Sequence, residues 1–363
     1  MLRVLGFLII FLIATVANAV TVTRYVNTAS AGGNGTTNAT VGVNAAYVSL
    51  AAWQAAEVTD LVAAGNTHKV IVSGITVDAN PVVVDGWTTD ATHYVLITCD
   101  SSIANSCHHG ALSTTHYALQ VSSAWATALT INDDFVRING FQIVKQSTSA
   151  IVRSAIRVYS ITSGGDTRIS NMVIRGDLAG AGVGRGVWLK NPAAKAYLWN
   201  NIIYNFSSVG SSGIMVDAAS AAALNYIYNN TVVNCAIGYS GTLGTERYKN
   251  NVAYSCTDGW FGIADALSTY NASSLPAGDA LGSSPIDSAV VNFRGVSDYH
   301  LKSSSTDVID KGIDLTADPN WVGATTNDID AEARGGAGTW DVGADEYTAP
   351  VGLPLRLLTG VGS

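Results

Sequence analysis

Nine basic residues fall between positions 137 and 195: Arg137, Lys145, Arg153, Arg157, Arg168, Arg175, Arg185, Lys190 and Lys195. Only Asp166 and Asp177 oppose them, a local net of +7 in a 363-residue chain whose formal charge is −8. A basic island on an acidic protein is the electrostatic footprint of a polyanion partner. Arg153, Arg157, Arg185, Lys190 and Lys195 are therefore the candidate substrate-binding residues, and no catalytic residue is assigned. Hydrolysis of a glycoside would need two or three carboxylates converging on one bond. Asp133 and Asp134 are adjacent, so on a strand they face opposite sides, and in a turn they cap it. From Ala196 to Thr245 the sole charged residue is Asp217. That stretch instead carries Tyr197, Trp199, Tyr204, Tyr226, Tyr228 and Tyr239, rings that serve either as sugar platforms or as core.

Other chemistry is weaker. Cys99, Cys107, His108, His109 and His116 match no standard zinc spacing, and an oxidising compartment favours disulfides over thiolate ligands. Asp328, Asp330 and Glu332 alternate oxygen donors in a way that suits Ca²⁺, but the rest of an EF-type loop is missing. No metal or cofactor is assigned; the main reading is an ion-pair network around Arg334, with Ca²⁺ as the alternative. No Gly-x-Ser-x-Gly elbow or Walker loop occurs, and GAGVGRG (180–186) lacks the Lys-Ser/Thr ending. An acidic chain without a nucleic-acid-binding motif argues against a nucleic-acid partner.

The elements that must position these residues are repeats. RINGFQIV (137–144), RISNMVIR (168–175), LWNNIIYN (198–205), IYNNTVVN (227–234) and YKNNVAYS (248–255) each set a polar residue before a short β-prone run. The equivalent position reads Gly140, Asn171, Asn201, Asn230, Asn251, at spacings of 31, 30, 29 and 21 residues. Such periods, with Asn and Gly turns and no intervening helices, predict a β-solenoid: an all-β, right-handed parallel β-helix. Equivalent residues of successive coils stack about 4.8 Å apart. Asn171, Asn201, Asn230 and Asn251 are thus expected to form a structural ladder, because an amide both donates and accepts and asparagine tolerates a left-handed corner. By the same stacking Cys235 and Cys256 are expected to form a disulfide between coils, with unbonded buried thiols as the alternative. Cys99 and Cys107 then pair by elimination.

A solenoid must cover its ends. SLAAWQAAEVTDL (49–61), with Ser49 as N-cap, predicts a capping helix, and KVIVSGITV (69–77) the first strand-like run. The chain opens MLRVLGFLIIFLIATVANA, a basic start, an apolar run too short for a span, and an Ala-Asn-Ala end. The organisation read from this is a signal peptide over 1–19, an N-terminal segment with capping helix over 20–68, a parallel β-helix over 69–305, a C-terminal acidic cap over 306–347 and a tail over 348–363. A secreted, periplasmic or cell-surface protein is expected, without a stable membrane span once the leader is cleaved, and self-association is left open.

The C-terminal segment carries Asp310 and Gly312, then Asp328 and Asp330 with Arg334, then Asp341, Gly343, Ala344 and Glu346. This order resembles the C-terminal segment of bacterial secreted right-handed parallel β-helix proteins of the pectate-lyase-like superfamily. HHGALSTTHYAL followed by LTINDDFVRINGFQIV (108–144) resembles a pattern of uncharacterised β-helix proteins. The resemblance implies an exported protein that binds or processes carbohydrate. In lyases of this fold a Lys or Arg removes the proton α to a uronate carboxyl group that a cation neutralises. The expected partner is a polysaccharide or cell-surface glycan, and the alternative is a non-catalytic adhesive solenoid.

Overall fold

The computed structural model describes residues 19–123, 125–147, 153–159, 164–178, 182–190, 195–217, 224–241, 243, 246–323, 326–335 and 339–349. The leader up to residue 18, the tail from 350 and Gly180 and Ala181 of the glycine-rich turn lie outside the described residues.

One coil shows the plan. The chain runs through Val136–Asn139 on sheet 1, Gln142–Ser147 on sheet 2 and Arg153–Tyr159 on sheet 3, then returns to sheet 1 at Asp166–Ser170. Repetition builds three all-parallel sheets of eight, eight and seven strands, a right-handed parallel β-helix. Alternation drives it: in Arg153–Tyr159, Ile156 and Val158 are buried while Arg157 and Tyr159 face outward. The inward positions of all coils form one continuous apolar core. A short run of three or four residues per side suffices because each strand is paired on both edges by its neighbours.

The corner between sheets 1 and 2 holds the asparagines, in two ladders rather than one. Ser170 pairs with Trp199, so Asn171 aligns with Asn200, one residue off the expected register. Asn171, Asn200, Asn229 and Asn250 form an outer column in the left-handed region (φ 51°, 55°, 52° and 54°), continuing Gly140 (φ 83°). The inner column is Asn201, Asn230, Asn251 and also Asn271, all fully buried. Asn230, Asn251 and Asn271 each accept, through Oδ1, both the backbone N–H and the side-chain amide of the asparagine before it: 3.0 and 2.8 Å for Asn201 on Asn230, 2.9 and 3.0 Å for Asn230 on Asn251, 3.1 and 3.0 Å for Asn251 on Asn271. The division of labour is physical. A sharp corner needs a left-handed residue, and the residue after it must satisfy the amide that the corner strands.

Cys235 and Cys256 sit in equivalent places, since Val233 pairs with Tyr254 and Ile237 with Asp258. They are nevertheless unbonded buried thiols, correcting the expected inter-coil disulfide. In-register side chains project in parallel at the strand spacing of about 4.8 Å, wider than the Cβ separation of about 3.8 Å that a disulfide takes. Cys99–Cys107 is bonded.

At the N-terminal end Val20–Asn27 pairs in parallel with Asn66–Ser73, a strand that periodicity did not reveal. The helix is shorter than expected, Leu50–Glu57, with Ser49 Oγ accepting from Ala52 N. It breaks at Val58, and Asp60 caps a second turn, Leu61–Ala64. Trp53 is fully buried, stacks on Trp87 and donates to His68, which fixes the helix on the first coils. Among the described residues no helix is long and apolar enough to cross a membrane.

At the other end, bridges Thr269–Ser283 and Ala272–Ile286 extend the stack beyond the last long strand. The acidic segment then returns along the asparagine corner. Asn250 bonds Ile313 through both amide atoms, Lys249 pairs with Asp318 at 2.6 Å, and Asp298 bridges back to Ala111. Arg334, its side chain buried, fixes this return by donating to Asn200 Oδ1 (3.2 Å), Gly343 O (3.0 Å) and Ala344 O (2.7 Å), with Glu346 at 3.5 Å.

Candidate functional site

The outward face of sheet 3 gathers four of the five basic candidates. Strand pairing aligns Arg157 with Trp188 and Trp188 with Met215, and Tyr159 with Lys190 and Lys190 with Asp217. Each step is one rung of about 4.8 Å. The Arg185 guanidinium lies 4.4 Å from the Trp188 ring centre, and Lys190 Nζ lies 4.8 Å from Trp188 and 5.6 Å from Tyr159. Arg157 is 5.5 Å from Tyr159, and Arg153 is 5.9 Å from Trp125. Trp125 is 72% exposed and Tyr159 40%. Lys195 does not join them: it opens the sheet 1 strand Lys195–Trp199 and aligns with Asp166.

Arg157, Arg185 and Lys190 form no ion pair among the described residues. Burial is the main influence on Arg185 and lowers its pKa, with Asp217 acting in the opposite direction. Asp217 is in register with Lys190, so among the described residues these rungs offer cations, rings and one carboxylate rather than a facing carboxylate pair. Such a surface can hold an anionic sugar, its charge on the cations and its apolar face on a ring, and it presents no facing carboxylate pair among the described residues. Sequence reasoning missed Trp125, Tyr159 and Trp188 as members. The alternation Arg157-x-Tyr159 and Trp188-x-Lys190 was the available signal.

The aromatic residues of the central coils serve mostly as core. Tyr204, Tyr226, Tyr228 and Tyr239 are buried, and the returning segment covers Tyr197, Tyr226 and Tyr228 with Leu315 and Trp340. Two members of the histidine patch have structural partners. Cys107 is in its disulfide, and His108 bonds Asn171 O at 2.7 Å and accepts from Gly110 N. Burial lowers the His108 pKa to about 4, so the ring is neutral.

Asp328, Asp330 and Glu332 do converge. Asp328, however, is occupied by backbone amides: Oδ1 accepts from Asp330 N and Glu332 N, and Oδ2 from Glu346 N. Asp330 belongs equally to a second cluster with His300 and Asp345. His300 Nε2 lies 3.1 Å from Asp330, and Nδ1 bonds Asp298. Burial alone would lower the His300 pKa, but Asp330, Asp345 and Asp298 outweigh it and raise it to about 9. Burial pushes Asp328 up to about 8 and Asp345 up to about 7. These bonds are those of a folded turn, although Asp330 Oδ1 is buried without a hydrogen-bond partner among the described residues.

A concavity of about 680 Å³ opens on sheet 1. Its floor holds Lys69, Leu96, Arg137 and Arg168; one wall is the disulfide loop with Asp100 and His109, and the other is the returning segment around Val322 to Ala331. Compared with protein-family models and with curated proteins, the chain matches none.

Proposed function

We propose that this protein is exported and binds an acidic polysaccharide along the outer face of sheet 3. One observation carries the reading: Arg157, Arg185 and Lys190, without ion-pair partners among the described residues, interleave with Tyr159 and Trp188 on consecutive rungs. Flat rings take the apolar face of a sugar, and cations at a regular spacing meet a regular series of carboxylates. The Cys99–Cys107 disulfide fits an oxidising compartment, as the leader-like N-terminus does. The resemblance to the pectate-lyase-like superfamily supports carbohydrate as the partner class.

A second reading, polysaccharide lyase, is favoured by one feature. Arg185 is part-buried beside Trp188 with a lowered pKa, the direction a base needs. A panel of acidic and neutral polysaccharides tests both readings. Binding restricted to polyuronates, without ultraviolet-absorbing unsaturated products, supports recognition alone; such products support the lyase. No binding to any acidic polymer overturns both.

A further inference from the structure

Arg137 is held by a ring and a carbonyl but by no ion-pair partner among the described residues. Strand pairing puts Lys69, Leu96, Arg137 and Arg168 in one outward column of sheet 1. Like charges on directly neighbouring strands repel, and here two guanidinium groups occupy adjacent rungs. Arg168 is compensated by Asp166, which it meets at 2.6 Å. Arg137 has no ion-pair partner among the described residues. Its guanidinium lies 3.4 Å from the centre of the Tyr94 ring and donates from Nη2 to Ala91 O at 3.3 Å, while Nε is buried without a partner among the described residues. Burial, and then Arg168, lower its pKa, with Tyr94 and Asp166 acting in the opposite direction. A part-desolvated cation beside another cation is a costly arrangement unless an anion relieves it.

The column is also enclosed. The returning segment and the disulfide loop turn it into the floor of the groove of about 680 Å³, within the range of small-molecule sites. Other charges near the groove are already engaged: Asp330 is held by His300, and Asp100 accepts from Ser102 and feels Lys69. Lys69 and Arg137 are the cations of this column without an ion pair among the described residues, and Arg137 is the one with a buried, unbonded nitrogen. Trp199, which lines the same groove, packs edge-on against Trp321 and supplies a ring, while Ser101, His109 and Asn327 supply polar edges.

We propose that this groove binds a small hydroxyl-rich oxyanion, a sugar of one or two rings bearing a carboxylate or a phosphate, with Arg137 as its anchoring cation. The planar guanidinium fork matches either group. The site lies on a different sheet from the polysaccharide face and stands without that reading.

Calorimetry of the full chain would use three probes: a uronic-acid disaccharide, a hexose phosphate and a neutral disaccharide. At least one anion should bind and the neutral sugar should not; which anion binds identifies the oxyanion. Arg137→Gln should weaken binding at least about tenfold. Val322→Trp, which fills the groove from its wall and removes no charge, should do the same, and it decides the matter if Arg137→Gln melts early. Arg157→Gln with Arg185→Gln should leave the small anion bound. The proposal is overturned if neither anion binds, if the neutral disaccharide binds as tightly, or if binding survives both groove variants. Loss of the small anion in the sheet 3 variants would also overturn it.

Discussion

Asn230 shows how much a single side chain does in this fold. Its Oδ1 accepts two bonds from Asn201, and its amide donates to Leu198 O, Tyr228 O and Asn251 Oδ1. Asn230→Ala strands buried donors and acceptors on two coils, each costing about 1–3 kcal/mol. A loss of about 3 kcal/mol or more is expected in urea unfolding; a change under about 1 kcal/mol would show the ladder to be incidental. His300 gives a pH-dependent counterpart. Its folded pKa of about 9 lies above the ordinary 6.5, so its stabilisation is complete below about pH 6.5 and is lost as pH rises through 9. The size is on the order of 3 kcal/mol. Asp328, pushed by burial from the ordinary 3.8 up to about 8, adds a decline that begins near pH 4 and is complete by about 8. Unfolding measured across the His300 window should fall steeply in the native protein and less steeply in His300→Gln; parallel curves would contradict the assignment. At this scale the sequence was informative but slipped by one position. Asn171 looks like Asn201 because both precede an apolar run. The paired strands show that it occupies the left-handed corner instead, a distinction that residue type cannot make when both ladders use asparagine.

The disulfide loop is the element that most repays attention. Cys99–Cys107 closes a short loop whose cystine packs on Gly140, where a Cβ would come within 2.5 Å of Cys99 Sγ and φ is 83°. Gly110, at φ 68°, likewise leaves room for His300, whose Nε2 would lie 2.2 Å from an added Cβ. The loop thus ties the early coils to the returning segment. Replacing both cysteines by serine should cost about 2–3 kcal/mol from loop entropy. Peptide mapping without reduction should show Cys99 linked to Cys107, with Cys235 and Cys256 alkylated only after unfolding; a Cys235–Cys256 peptide would contradict the structure. Spacing alone could pair the first two by elimination, yet it misjudged the second two. Stacking puts equivalent residues close in Cα position while also pointing their side chains the same way. The first strand, Val20–Asn27, escaped notice because its half-exposed edge lacks the Asn signature of the later coils.

At the scale of the whole molecule, a continuous core fixes three long faces, and the outward residues distinguish them. The fold was legible because each coil repeats one polar-corner pattern, so its period survives in the sequence. The sheet 3 face was partly legible: a charge count located Arg153, Arg157, Arg185 and Lys190, but only the strand order separates Lys195 from them and adds Trp125, Tyr159 and Trp188. The sheet 1 groove was not legible, because Arg137 and Val322 come from segments far apart in the chain. The most direct test compares the native chain with Arg157→Gln/Arg185→Gln/Lys190→Gln for affinity to an immobilised polyuronate at low and high salt. The account predicts native binding that weakens with salt and falls at least about tenfold in the triple variant, with unfolding stability retained. Equal affinity in the two proteins, or binding indifferent to salt, would contradict it.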